Sequence, residues 1–417
     1  MRPLTPEQVK IIKAFVPILK EHGDTVTSLF YKTLHEEYPF LHNVFNQTNQ
    51  ANNHQAKALA ASLYAYASHI DDLGALSPAV EKICHKHASL YIRPEHYKLV
   101  GEGLIRAMGS ILGETFTPEI KDAWEAAYWQ LANILIGREN QLYQASQGWT
   151  DWRDFTISDK VRESEEITSL YLKPVDGETL PEYLPGQYIS LLSHVPTLGY
   201  TQSRQYTLSS APRTNQYRIS VKREAGLTPG CISNLLHSDT NIGDIIKLSH
   251  PAGDFFYDPQ NDTEAPLVLL SAGVGITPMV SILNSVVERG SKQPISFIHG
   301  ARNSSVRGFA SQIRNFAVEN ENVQVTFFLK SLEEGDVVGW DYTHVGRLTV
   351  PELVRTRKRD LWLEDERTMY FVCGPEGFMA DVARELKGLG VDNSRIRLEV
   401  FGTGEIPTEV EANGVAH

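Results

Sequence analysis

The sequence predicts a multidomain chain: an all-α domain first, then an antiparallel β-barrel, then an α/β domain on a parallel sheet. Three observations predict this order. From Pro6 to about Gln147 apolar residues recur at helical spacing, with Val9, Ile12 and Val16 on one face and Trp124, Tyr128, Leu131, Leu135 and Leu142 on another. At Trp149-Thr150-Asp151-Trp152 the period drops to two, and Ile167, Ser169 and Tyr171 alternate with Thr168, Leu170 and Leu172. After Asp262 the run Leu267-Val268-Leu269-Leu270 enters a glycine turn and then a helical stretch, as βαβ units do.

Each element has a local reason. Thr5 is a helix N-cap with Pro6 at the first helical position and Gln8 closing a capping box; Ser77-Pro78 and Thr117-Pro118-Glu119 repeat such a start. Strand-like runs follow at Gln187–Leu192, Arg204–Ser209, Tyr217–Lys222 and Ile245–Leu248, separated by Pro/Gly turns, the spacing of a small barrel. The helix after the glycine turn runs to Val287, and further strands fall at Ile295–His299 and Met369–Cys373. The expected boundaries are 1–148, 149–262 and 263–403, with residues 404–417 a polar, acidic, disordered tail.

At 417 residues, with 41% hydrophobic and 22% charged residues, the chain has material for two to three cores. A formal charge of −12 argues against nucleic acid or an anionic membrane as partner. Cys84, Cys231 and Cys373 form no metal-spaced pair and suit a reducing compartment. The most apolar stretch, Pro266 to Met279, is interrupted by Gly273, Gly275 and Pro278, so no membrane insertion is expected. With no secretory leader in view, the expectation is a cytoplasmic monomer.

In the helical part Tyr31, Phe45, Gln55, Leu59 and His87 stand out. Taken singly, an aromatic at helical spacing is core and a lone histidine satisfies a backbone group. His85 rivals His87 as a metal ligand, and by spacing alone Glu139 reads as a solvated carboxylate on a terminal helix. Together, and in motif order from Thr5 through Tyr143, these residues resemble the globin domain of flavohaemoglobins. The resemblance implies haem b with His87 as the iron ligand and His85 facing solvent. It also implies Phe45 against the porphyrin, and Tyr31, Gln55 and Leu59 lining the distal pocket. Tyr97 and Glu139 match the family's tyrosine and glutamate behind the proximal histidine, where an anionic acceptor strengthens electron donation to the iron.

The remainder resembles the ferredoxin-NADP reductase superfamily, through Arg204-Gln205-Tyr206-Thr207-Leu208-Ser209, Gly273-Val274-Gly275-Ile276-Thr277-Pro278 and Cys373-Gly374-Pro375. By that resemblance Arg204 contacts FAD phosphates, Tyr206 packs on the isoalloxazine and Thr207, a serine in the family, bonds the ring edge. Pro185-Gly186-Gln187-Tyr188 supplies a second flavin strand, with Tyr188 on it. Gly230-Cys231-Ile232-Ser233-Asn234 opens a helix whose first amides cradle the pyrophosphate, with Gly230 and Ser233 as the named contacts. Gly273–Pro278 and Cys373–Pro375 receive NAD(P)H. Glu399-Val400-Phe401-Gly402 resembles the terminal segment against the flavin, followed by Thr403 where the family has proline. Lys86 and Glu399 are assigned to the haem–flavin junction. Arg302 and Arg307 leave two readings open, a 2′-phosphate contact or plain solvated arginines.

Three functions compete. A nitric oxide dioxygenase would pass electrons from NAD(P)H through FAD to haem and convert nitric oxide and dioxygen to nitrate. A sensor globin would only bind these gases, and a FAD-dependent haem or ferric reductase would need no polar distal pocket. The first uses every constellation and is the expected one.

Overall fold

The computed structural model describes residues 3–43, 53–224, 230–260 and 264–401. Thr5 accepts from the Gln8 backbone while the Gln8 side chain accepts from Thr5, and this capping box starts helix α1, Pro6–Glu37, which runs on through Pro17. Helices α2 (His54–Ser68), α3 (Ser77–Ser89), α4 (Pro94–Leu112) and α5 (Pro118–Ala145) complete the helical part. Ile12, Phe15, Phe30, Leu63, Met108 and Trp124 meet in its core, and the Phe15 and Trp124 rings pack edge-on at 5.4 Å. The helical spacing thus becomes a buried stripe on each helix.

Strands β1 (Arg153–Arg162), β2 (Ile167–Pro174), β3 (Tyr188–Val195), β4 (Tyr200–Thr207), β5 (Tyr217–Lys222) and β6 (Ile245–Leu248) form one antiparallel sheet, ordered β4-β3-β6-β1-β2-β5. A bridge from Leu208 to Ile219 joins its two ends, as the predicted barrel requires. The eight-residue helix α6, Cys231–Ser238, lies between β5 and β6.

The second sheet is parallel and contains β7 (Leu267–Ala272), β8 (Ile295–Ala301), β9 (Val323–Leu329), β10 (His344–Val345), β11 (Met369–Cys373) and β12 (Ile396–Glu399), ordered β10-β9-β8-β7-β11-β12. Helices α7 (Ile276–Glu288), α8 (Ala310–Glu319), α9 (Val350–Arg357) and α10 (Glu376–Gly388) connect these strands. Leu267 and Leu269 pack with Met279 and Leu283, whereas Val268 and Leu270 pack with Leu353 and Leu386. Both faces of β7 are therefore buried, which explains its unbroken apolar run. The first strand, β7, adjoins β11, so the strand order reverses there and places a crevice at the carboxyl ends of β7 and β11.

The chain divides into two compact units: residues 1–152 with 190–204 and 248–254, and residues 153–189 with 205–247 and 255–417. Among the described residues no helix is long and apolar enough to cross a membrane.

Candidate functional site

In the first unit α3, α4 and α5 bring His87, Tyr97 and Glu139 together. Glu139 is 2% exposed and its Oε1 lies 2.8 Å from His87 Nδ1. Tyr97 donates its hydroxyl to the same oxygen at 2.5 Å, and its Oη is 2.9 Å from His87 Nδ1. The carboxylate accepts, so Nδ1 is the donor nitrogen and Nε2 is the one left for a metal. Burial, then the Glu139 charge, pushes the Tyr97 phenol far up, so it stays a donor. About a third of the His87 side chain, 32%, remains accessible. An imidazole whose Nδ1 lies against an anion, leaving Nε2 as the ligating nitrogen, is the donor set that haem iron takes, and these residues fit that group.

His85 does not face solvent. It is 8% exposed, accepts from the Gly253 backbone through Nδ1 at 3.1 Å and bonds Glu81 Oε1 through Nε2 at 3.1 Å. With both nitrogens committed it is no rival ligand. Spacing alone would have left Glu139 in solvent; its burial comes from α3 and α4 packing over it.

Tyr31 on α1 and Gln55 on α2 share a hydrogen bond, and burial raises the Tyr31 phenol far above its ordinary value. Both line a cavity of about 210 Å³ together with Ser28, Lys32, His35 and Asn53. Leu59 is half-buried one turn beyond Gln55 and packs on the helical core. Lys86 is half-buried on α3. Phe45, Gly402 and Thr403 lie outside the described residues.

Arg204, Gln205, Tyr206 and Thr207 end β4; the first three are half-buried and Thr207 is 6% exposed. Arg204 Nη1 donates to Ser203 O at 2.7 Å. Strand β3 begins with Tyr188, half-buried, after Gly186, whose φ of +109° makes the turn; a side chain there would come within 2.8 Å of Phe255 O. Gly230 caps α6, and a Cβ on it would meet Ser233 Oγ at 2.5 Å, so this turn is closed around bare backbone.

The glycine turn and the downstream loop meet. A Cβ at Gly275 would collide with the carbonyl of Cys373, and one at Gly374 would sit 3.1 Å from Ala272 Cβ. Gly273, exposed at φ +58°, opens onto free space before α7, which is room for a pyrophosphate at a helix N-terminus. Val274 accepts from Thr277 Oγ1 at 3.1 Å, and Ile276 and Pro278 are buried in the first turn of α7. Pro375 is exposed at the start of α10. In the same unit Ser281 of α7 donates to Ser210 O at 2.9 Å, tying the helix after the glycine turn to the chain just after β4. Glu399 pairs in register with Cys373, whose thiol is pushed up by burial and then by that carboxylate. Val400 packs on the sheet and Phe401 is exposed.

Arg302 is ion-paired with Glu166, and Arg307 is 4% exposed, donating to the Asp341 carbonyl and lying 4.3 Å over the Phe327 ring. Arg307 is therefore not a solvated loop arginine. Sequence reasoning also missed Glu81 and Arg138, whose only local signal is the i, i+4 spacing of Glu81 and His85.

A globin family model matches residues 19–135, an oxidoreductase FAD-binding domain residues 154–257, and an oxidoreductase NAD-binding domain residues 269–384. A flavohemoprotein of Bordetella parapertussis is 45% identical over 408 residues, 97% of this chain and all of the relative. One from Deinococcus radiodurans is 43% identical over 406 residues, 96% of this chain and 98% of the relative. The crystal structure of flavohemoglobin from Malassezia yamatoensis, with bound FAD and heme, aligns with a TM-score of 0.84 at 26% identity, covering 96% of this chain and 100% of that one. The FAD/NAD-binding domain of nitric oxide dioxygenase from Vibrio cholerae aligns with a TM-score of 0.54 at 36% identity, covering 60% of this chain and 99% of that one. Identity over the whole length, with the helical domain, the barrel and the parallel sheet in one order, makes this chain a member of the flavohaemoprotein family, a globin joined to FAD- and NAD-binding oxidoreductase domains.

Proposed function

We propose that this chain is a cytoplasmic, monomeric NAD(P)H-dependent nitric oxide dioxygenase that detoxifies nitric oxide. Its domains are residues 1–148 for haem b, 149–262 for FAD and 263–403 for the nicotinamide. The observation that carries the reading is the buried Glu139 carboxylate on His87 Nδ1. A globin that only stores a gas gains nothing from an anion behind its proximal histidine; one that turns oxygen over does.

When bound, the haem, FAD and nicotinamide supply gas binding, the two-to-one electron step and hydride. The chain does the rest. His87 would hold the iron, oriented by Glu139 and Tyr97, Phe45 would pack on the porphyrin and Leu59 would line the distal pocket with Tyr31 and Gln55. Tyr31 and Gln55 donate hydrogen bonds to negative charge developing on dioxygen. Arg204, Gln205, Tyr206, Thr207 and Tyr188 orient the flavin, and Gly230 and Ser233 its pyrophosphate. Gly273–Pro278 and Cys373–Pro375 receive the nicotinamide dinucleotide beside Phe401. Lys86 and Glu399 tune the potentials of the two redox groups. For each NAD(P)H oxidised, two nitric oxide and two dioxygen give two nitrate and one proton.

The test is nitric oxide consumption by the haem- and FAD-loaded protein, followed on an electrode in aerobic buffer with NADH. Catalytic loss that needs both oxygen and NADH and yields nitrate is expected. Binding that stops at one nitric oxide per haem would sink the enzyme reading in favour of a gas-binding globin.

A further inference from the structure

Glu81 and His85 lie one turn apart on α3, and Arg138 is the neighbour of Glu139 on α5. Glu81 takes both arms of the Arg138 guanidinium, Oε2 from Nε at 2.7 Å and Oε1 from Nη2 at 2.5 Å. His85 then bonds Glu81 Oε1 from one ring nitrogen and the Gly253 backbone from the other, each at 3.1 Å. Because Gly253 N–H must donate, His85 Nδ1 accepts and Nε2–H donates to the carboxylate, so one tautomer serves both partners. A guanidinium uncompensated beside Glu139 would stabilise that carboxylate's charge and weaken its hold on the His87 proton. A bidentate Arg–carboxylate pair answers that charge with fixed geometry. The three charges converge locally: the Cys84 thiol, three residues before His87, is raised to about 12 by burial and then by Glu139 and Glu81, while Arg138 opposes them.

We propose that Glu81 and Arg138, held by His85, are positioning residues for the proximal pair, Glu81 neutralising Arg138 so that the Glu139 carboxylate acts on His87 alone. This rests on His87 being the iron ligand. Losing Glu81 leaves a net positive charge near the haem, which favours the reduced, electron-richer iron; losing Arg138 does the reverse.

The experiment uses the full, haem- and FAD-loaded chain, with the haem midpoint potential from spectroelectrochemical titration and the iron–histidine stretch from resonance Raman of the ferrous protein. Glu81→Gln should raise the potential and lower the stretching frequency, and Arg138→Gln should do the opposite. The double variant should return close to wild type. His85→Gln keeps a donor and an acceptor and should match wild type, whereas His85→Leu should shift the potential and the stretch in the Glu81→Gln direction. A merely structural pair would move both single variants the same way or neither, and either result overturns the inference. If Glu81→Gln does not take up haem, Arg138→Gln decides alone, and a potential at or above wild type overturns the proposal. An iron–histidine stretch absent from the wild type, or surviving His87→Gly, would instead show that His87 is not the ligand.

Discussion

Tyr97 and Glu139 flank one nitrogen of His87, so a change at either alters how much negative charge the imidazole carries. Glu139→Gln keeps the shape but removes the anion; nitric oxide turnover should fall by about 10–100-fold while flavin reduction by NADH is unchanged in stopped flow. Tyr31→Phe removes a distal donor and should slow oxygen-dependent turnover on the order of 100-fold, again sparing flavin reduction. A normal electrode rate in either variant would return that residue to ordinary packing. At this scale a strand run was legible where its alternation is local, as at Arg204–Thr207, which ends β4. His85 and Arg307 were not, because each is buried by partners far along the chain: Gly253 for His85, Phe327 and Asp341 for Arg307.

Among elements, the glycine turn shows what strand order does for chemistry. Strands β7 and β11 are neighbours, so their carboxyl ends place Gly275 against the Cys373 carbonyl although about a hundred residues separate them. Gly275→Ala must push these backbones apart, at a cost of about 1–3 kcal/mol. The KM for NADH should rise with the Soret spectrum unchanged; an unaltered KM would mean the loops do not act as one nucleotide site. The runs over Tyr217–Lys222 and Ile245–Leu248 coincide with β5 and β6, because turns punctuate them on both sides. Strand β9 and the terminal β12 carry no comparable punctuation, and their places come from pairing with β8 and β11.

For the molecule as a whole, pH should act through burial as well as through the redox groups. His299, 1% exposed, is held down to about 3, first by burial and then by the Arg307 charge, and bonds Ser271 at 2.9 Å. Its folded value lies below its ordinary 6.5, so the unfolded chain binds the proton more readily. The stability this group contributes is complete above pH 6.5 and is lost as pH falls toward 3, by up to about 1.4 kcal/mol per pH unit. Denaturant midpoints should decline over that window and decline less in His299→Gln; parallel curves would remove His299 from the account. The kind, number and order of folding patterns were determined by the sequence alone, since periods of 3.6 and 2 and the glycine turns are local properties. Which distant groups meet was decided only by tertiary structure. Residues 190–204 and 248–254 join the helical unit, and one buried carboxylate faces one imidazole nitrogen across 52 positions. Such meetings depend on how whole helices and strands pack, and no local period records them.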